Sequence, residues 1–167
     1  GILEVKAPQA WAQFGATGAG IGVAVLDSGV YPHADLAGRI VVAVDVTGPT
    51  TRVSPTPLGD PGGNGTHVAG LIAGDGTSSG GAYTGVAPRA NIIDVRVIDG
   101  NGNSNTSTIL RGMSWVLANR ITYNIRVANF SLNTGGDSIQ YDALDKAVES
   151  LWLNGVTVVV AAGNYGV

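Results

Sequence analysis

Cysteine is absent from the 167 residues, which excludes disulfides, thiolate metal sites and a cysteine nucleophile. Charge is sparse. Asp, Glu, Lys and Arg make up 13% of the chain, the net charge is −3, and no basic cluster exists, so no nucleic-acid partner is expected. No apolar run approaches the roughly 18 residues of a membrane-spanning helix, and no membrane partner is expected. Residues 1–8 have neither the basic n-region nor the apolar h-region of a signal peptide. The 26 glycines follow no fixed period, which excludes collagen. What is plentiful is apolar surface. At 44% hydrophobic residues the chain is built to bury a core, and nothing in it divides residues 1–167 into more than one domain.

Four short apolar runs, 21–26, 92–98, 125–130 and 156–162, predict strands. The first and last are rich in β-branched residues and nearly free of polar ones, as strands covered on both faces are. Asp94 and Arg96 interrupt the second, which points to a place nearer the sheet edge. Between the runs, Ile109, Met113, Val116 and Leu117 recur at helix spacing, as do Leu144, Val148, Leu151 and Trp152. Asp137 followed by Gln140 resembles a capping box, and Asn154-Gly155 is a natural helix stop. A shorter helix is predicted from about Thr66 to Ala73, and residues 47–63, rich in Pro, Thr and Gly, read as a surface loop. The alternation predicts an α/β fold in three layers, a mostly parallel sheet with helices on both faces. Ligands of such sheets bind beyond the carboxyl ends of the strands, so functional residues are sought just after each run.

Asp27 closes the first run in Val23-Ala24-Val25-Leu26-Asp27-Ser28-Gly29. A carboxylate at the rim of a sheet can orient a histidine, bind a metal, accept a phosphoryl group or simply cap a turn. His67 lies in Gly63-Asn64-Gly65-Thr66-His67-Val68-Ala69-Gly70, at the start of a helix among small neighbours. From there it can reach across a cleft or be satisfied by a backbone carbonyl. Asn164 follows the last run in Val158-Val159-Val160-Ala161-Ala162-Gly163-Asn164. Its amide can donate to developing negative charge or occupy a turn.

Taken in order, these segments resemble the subtilisin family of serine proteases. The family's catalytic aspartate ends an apolar run in Asp-[Ser/Thr]-Gly. Its histidine lies in Asp-x-x-Gly-His-Gly-Thr-His-Val-Ala-Gly, and its oxyanion asparagine follows Ala-Ala-Gly. Here the segments read Leu26-Asp27-Ser28-Gly29, then Asp60-Pro61-Gly62-Gly63-Asn64-Gly65-Thr66-His67-Val68-Ala69-Gly70, then Ala161-Ala162-Gly163-Asn164. Gly85-Val86-Ala87-Pro88, Val95-Arg96-Val97-Ile98 and Asn129-Phe130-Ser131-Leu132 also match, and the likeness runs from about Val5 to the last residue. The resemblance implies a serine endopeptidase that hydrolyses peptide bonds in proteins with an Asp-His-Ser triad. Asp27 would accept a hydrogen bond from His67, His67 would carry the serine proton, and Asn164 would donate to the oxyanion. It also implies a polypeptide substrate paired as a strand between Gly102-Asn103-Ser104 and Ser131-Leu132-Asn133, with Gly163 beside the oxyanion donor.

The departures carry expectations of their own. The family's nucleophile segment, Gly-Thr-Ser-Met-Ala, does not occur in these residues. The chain alone is therefore expected to be an incomplete fold and inactive, requiring a complementing C-terminal segment that carries the serine. Asn64 replaces the histidine usual before Gly-Thr-His, read as a non-catalytic position that bears only on local packing. Asn133 replaces the glycine of Ser-Leu-Gly and places a polar side chain beside the primary specificity pocket. Catalysis by the family needs no cofactor. Its structural calcium often uses the aspartate of His-Pro-Asp-Leu and a loop after the histidine helix; His33-Ala34-Asp35-Leu36 keeps the aspartate, while residues 74–83 offer few oxygen-bearing side chains. The family's habit implies an extracellular protein whose leader has been removed.

Three other readings compete. A nucleotide-binding domain would use Gly15-Ala16-Thr17-Gly18-Ala19-Gly20, but these glycines precede the strand instead of following it. A phosphoacceptor domain with Asp27 as acceptor would need neighbouring carboxylates for magnesium, which Ser28-Gly29 does not supply. The third is a catalytically inactive, protease-like binding or scaffold module.

Overall fold

The computed structural model describes residues 1–131 and 138–162, with the backbone alone over 138–141. In chain order the elements are α1 (Ala7–Phe14), β1 (Gly22–Asp27), β2 (Ile40–Asp45), β3 (Arg52–Ser54), α2 (Asn64–Ala73), β4 (Asn91–Arg96), α3 (Thr106–Asn119), β5 (Ile125–Phe130), α4 (Ser138–Leu153) and β6 (Thr157–Val160). Six strands form one sheet in the order β3-β2-β4-β1-β5-β6. All neighbours are parallel except β3, which runs antiparallel to β2.

Side chains alternate across a strand, and here the alternation sorts the core into two layers. Ala24 and Leu26 of β1 share one face with Ile93, Val95 and Val97, and this face packs against Ile109, Met113 and Val116 of α3 and Leu151 of α4. Val23, Val25 and Ile92 point the other way, against Ala69 and Ala73 of α2. The α/β fold and its helices on both faces are thus as the sequence predicts. The same alternation places Asp27, two residues after Val25, on the α2 face at the carboxyl end of β1.

Several local expectations need correction. β4 is an interior strand between β2 and β1, not a near-edge one, and Asp94 is 1% exposed on it. Among the described residues the edges are β3 and β6; β6 is the strand expected to be covered on both faces, and its Val159 and Val160 are exposed. Within residues 47–63, Arg52–Ser54 is not loop but β3, held by register with Asp45, Val44 and Ala43. α1 and β2 lay outside the apolar runs singled out. α1 is announced only by Pro8 in its first turn and the left-handed Gly15 at its end, and Trp11 fastens it by donating to the Val86 carbonyl at 2.9 Å. α2 begins two residues earlier than read, and α4 ends before Asn154 and a left-handed Gly155, the stop expected. Asp137 of the expected capping box lies outside the described residues.

Candidate active site

β1 lies where the chain reverses its direction of travel across the sheet. From β1 it goes to β2 and back to β4 on one side, then crosses to β5 and β6 on the other. Such a switch point opens a crevice at the carboxyl ends of the strands. Asp27 stands there, fully buried, its backbone carbonyl accepting from the N–H groups of Val97 at 2.9 Å and Ile98 at 3.1 Å.

Both oxygens of its carboxylate are engaged. Oδ1 accepts from the Ser28 backbone N–H at 2.7 Å and from the Ser28 hydroxyl at 3.1 Å. Oδ2 accepts from the Asn64 side-chain amide at 2.7 Å. A carboxylate can only accept, so the NH2 of Asn64 must face it and the Asn64 carbonyl must face away.

Asp60 organises the approach. Its Oδ1 accepts from the Ser28 hydroxyl at 2.7 Å and the Gly63 N–H at 2.8 Å, and its Oδ2 from the Thr66 N–H at 2.9 Å and hydroxyl at 2.5 Å. It therefore satisfies free N–H groups at the start of α2 that the helix itself leaves unpaired. Burial pushes its carboxyl up, but the hydrogen bonds from Thr66, Ser28 and Gly63 outweigh this and hold it below the usual carboxylate range. Asp60→Ala in the full-length protein is expected to cost about 1–3 kcal/mol of stability at neutral pH. Because the folded value is lowered, the carboxylate's contribution is present above the unfolded value and is lost as pH falls through the folded one. Thermal melts from pH 7 to pH 2 should therefore show parent and variant converging in acid.

The expected Asp27–His67 pairing is not found. Among the described residues no hydrogen bond or ion pair joins the two side chains. The reason is helical geometry. α2 starts at Asn64, so its first side chain stands at the sheet rim over Asp27. His67 lies three residues on, about 4.5 Å farther along the axis and turned by roughly 60°. It is exposed and lines a 260 Å³ pocket with His33, Asp35, Leu36, Leu71 and Tyr83. The reading of Asn64 as a position of packing interest only is likewise corrected, since its amide holds the buried carboxylate.

The remaining site residues divide by what is described. Gly102, Asn103 and Ser104 are exposed in a loop after β4, closed by Asp99, which accepts from the N–H groups of Asn101 and Asn103 at 2.9 Å. The Ser104 hydroxyl donates to the Val97 carbonyl at 2.7 Å. Ser131 follows β5 and accepts from the Asn129 amide at 3.0 Å. β4 and β5 flank β1, so these segments border the Asp27 crevice on opposite sides. Leu132, Asn133, Gly163 and Asn164 lie outside the described residues. Asp35, the aspartate through which the resemblance allows a structural calcium, is tied to the loop after α2. Its Oδ1 accepts from the Ser78 N–H at 2.6 Å.

A mostly parallel sheet with a helix layer on each face, and a buried carboxylate at its switch point, defines an α/β protein with a carboxyl-edge cleft. The chain belongs to the subtilase family, whose model matches residues 18–167. It is 40% identical to Serine protease AprX of Bacillus subtilis (strain 168) over 156 residues, covering 90% of this chain and 34% of that protein. It is 39% identical to Minor extracellular protease Epr of the same organism over 167 residues, covering 99% of this chain and 23% of that one. Among solved structures, S41 Psychrophilic Protease is similar with a TM-score of 0.77 and 34% identity, over 90% of this chain and 48% of that one. The chain thus spans less than half the length of each of these proteins.

Proposed function

We propose that the whole protein is a serine-peptidase scaffold whose ligand is polypeptide and whose site is laid out for peptide-bond hydrolysis. An extended peptide lies across the carboxyl ends of the strands, between Gly102-Asn103-Ser104 and the segment that begins at Ser131. Asp27 holds the aspartate's station, Asn164 is the oxyanion donor, and the attacking serine is supplied outside these residues. Relatives named as serine proteases support the reaction class. Relatives named extracellular and intracellular both occur, and an extracellular setting is proposed from the former. The observation that carries the reading is the fully buried Asp27 at the end of the central strand, with the exposed Gly102-Asn103-Ser104 loop following β4 on one side and the half-buried Ser131 following β5 on the other.

His67 as the general base is the part of the triad that this geometry does not support. A second reading, peptide binding without turnover, is favoured by the Asn64–Asp27 hydrogen bond. Fluorescence polarisation of a labelled extended peptide against the full-length protein tests the shared element. Saturable binding, weakened at least about tenfold when Gly102 is replaced by Pro, is expected. No binding at millimolar peptide would remove both readings. Gly102 is the sensitive point because it sits at φ 81°, which proline cannot adopt.

A further inference from the structure

Resting on that polypeptide-cleft reading, we infer that Asn64 is the side chain through which Asp27 acts in this protein, and that it makes the site one that positions a hydroxyl without deprotonating it. Three observations converge. Asp27 is buried, and its carboxylate is accounted for by Ser28 and Asn64 alone among the described residues. Asn64 occupies the station a triad gives to imidazole, one hydrogen bond from the buried carboxylate and at the crevice rim. His67, the one histidine on α2, faces the Tyr83 pocket.

The chemical consequence follows from the amide. In serine-type hydrolysis an imidazole nitrogen takes the hydroxyl proton as the oxygen–carbon bond forms and the carbonyl π pair moves onto its oxygen. The same nitrogen then gives that proton to the leaving amine as the carbon–nitrogen bond breaks. A carboxamide nitrogen has its lone pair delocalised into the carbonyl and has no basic site near neutral pH. One N–H of the Asn64 amide is committed to Asp27, and Oδ1, its one acceptor, has no hydrogen-bond partner among the described residues. It can accept a hydrogen bond from a hydroxyl and orient it, but it cannot carry the proton through both steps. Asn64 is accordingly a positioning residue, and the protein holds polypeptide with little or no base-assisted cleavage.

The test has two arms, both on the full-length protein. In the first, the Asn64 side-chain amide resonances are followed by NMR when Asp27 is replaced by Asn, together with the His67 imidazole resonances. The Asn64 signals are expected to move and those of His67 to stay. Movement of His67 with Asn64 unmoved would overturn the assignment. The second arm measures hydrolysis of a peptide anilide across pH 5–9. Asn64→His is expected to raise kcat/KM at least about 100-fold, along a pH profile with a single protonation. His67→Gln is expected to leave the parent rate unchanged, and its abolition by that replacement would also overturn the inference. If the Asn64 resonances move as expected but Asn64→His brings no gain, the hydrolytic layout falls while the Asp27–Asn64 pairing stands.

Discussion

At pH 8, full-length protein carrying Asp94→Asn is expected to melt well above the parent, and near pH 4 the two should nearly coincide. Asp94 sits in the middle of β4, in register with Val25 on one side and Ala43 on the other, and is 1% exposed. Burial pushes its carboxyl up to about 8; a hydrogen bond from the Val30 backbone and the charge of Arg96 pull it down, while Asp60 and Asp45 push it further up. Its Oδ1 has no hydrogen-bond partner among the described residues. Asp94 therefore stays protonated inside the folded protein at neutral pH. Below the unfolded value of 3.8 both states hold the proton, and the neutral acid makes its full contribution. Between 3.8 and about 8 the unfolded chain releases the proton while the folded one retains it, so stability declines steadily as pH rises. The accumulated loss is on the order of 5 kcal/mol by pH 8, at 1.36 kcal/mol per unit. An amide of similar shape cannot ionise and escapes that decline. Melting curves of both proteins from pH 4 to pH 8 check it, and a gap independent of pH would show that the effect comes from packing instead of ionisation.

Gly65→Ala is the second large effect, expected to cost about 2–4 kcal/mol and to lower Tm accordingly. A Cβ on Gly65 would run into the carbonyl oxygen of Gly29 and stand 3.1 Å from the Asp27 Cβ. Those are backbone and side-chain stem atoms, so neither can rotate away, and α2 would have to withdraw from the end of β1. The same withdrawal would lengthen the Asn64–Asp27 hydrogen bond, so the Asn64 amide resonances should shift together with the loss of stability. Gly70→Ala, one turn and a half along the same helix, is the matched control. A Cβ there meets nothing within 4 Å, and alanine's helix preference is expected to add up to about 1 kcal/mol. Equal losses for the two variants would mean that the α2–β1 contact does not set the cost.

The two expectations share a cause. Asp27, Asp45, Asp94 and Arg96 all lie on the α2 face of the sheet near its carboxyl rim, with Asp60 reaching in from the preceding loop. Arg96 is the cation near these carboxylates, with its Nη1 4.0 Å from Asp45. One guanidinium does not balance four carboxylates. Hydrogen bonds keep Asp60 ionised, and desolvation leaves Asp94 neutral.

Much was decided by the order of residues along the chain. Runs of Val, Ile and Ala alternating with helix-spaced Ile109, Met113 and Val116 determine a mostly parallel sheet between helices, because those side chains have no other way to leave water. The segment around Asp27 and the Asn-Gly-Thr-His segment mark the family, and their glycines mark close backbone approach. What order alone could not decide was who meets whom. Whether Asp94 lies at an edge or in the interior depends on how strands three dozen or more residues apart line up. Whether Asn64 or His67 meets Asp27 depends on where α2 begins and how it is rotated against β1. Those choices are made by long-range contacts, the Gly65 backbone on Gly29 and the Asp60 cap at the start of α2, and the periodicity of neighbouring residues carries no trace of them.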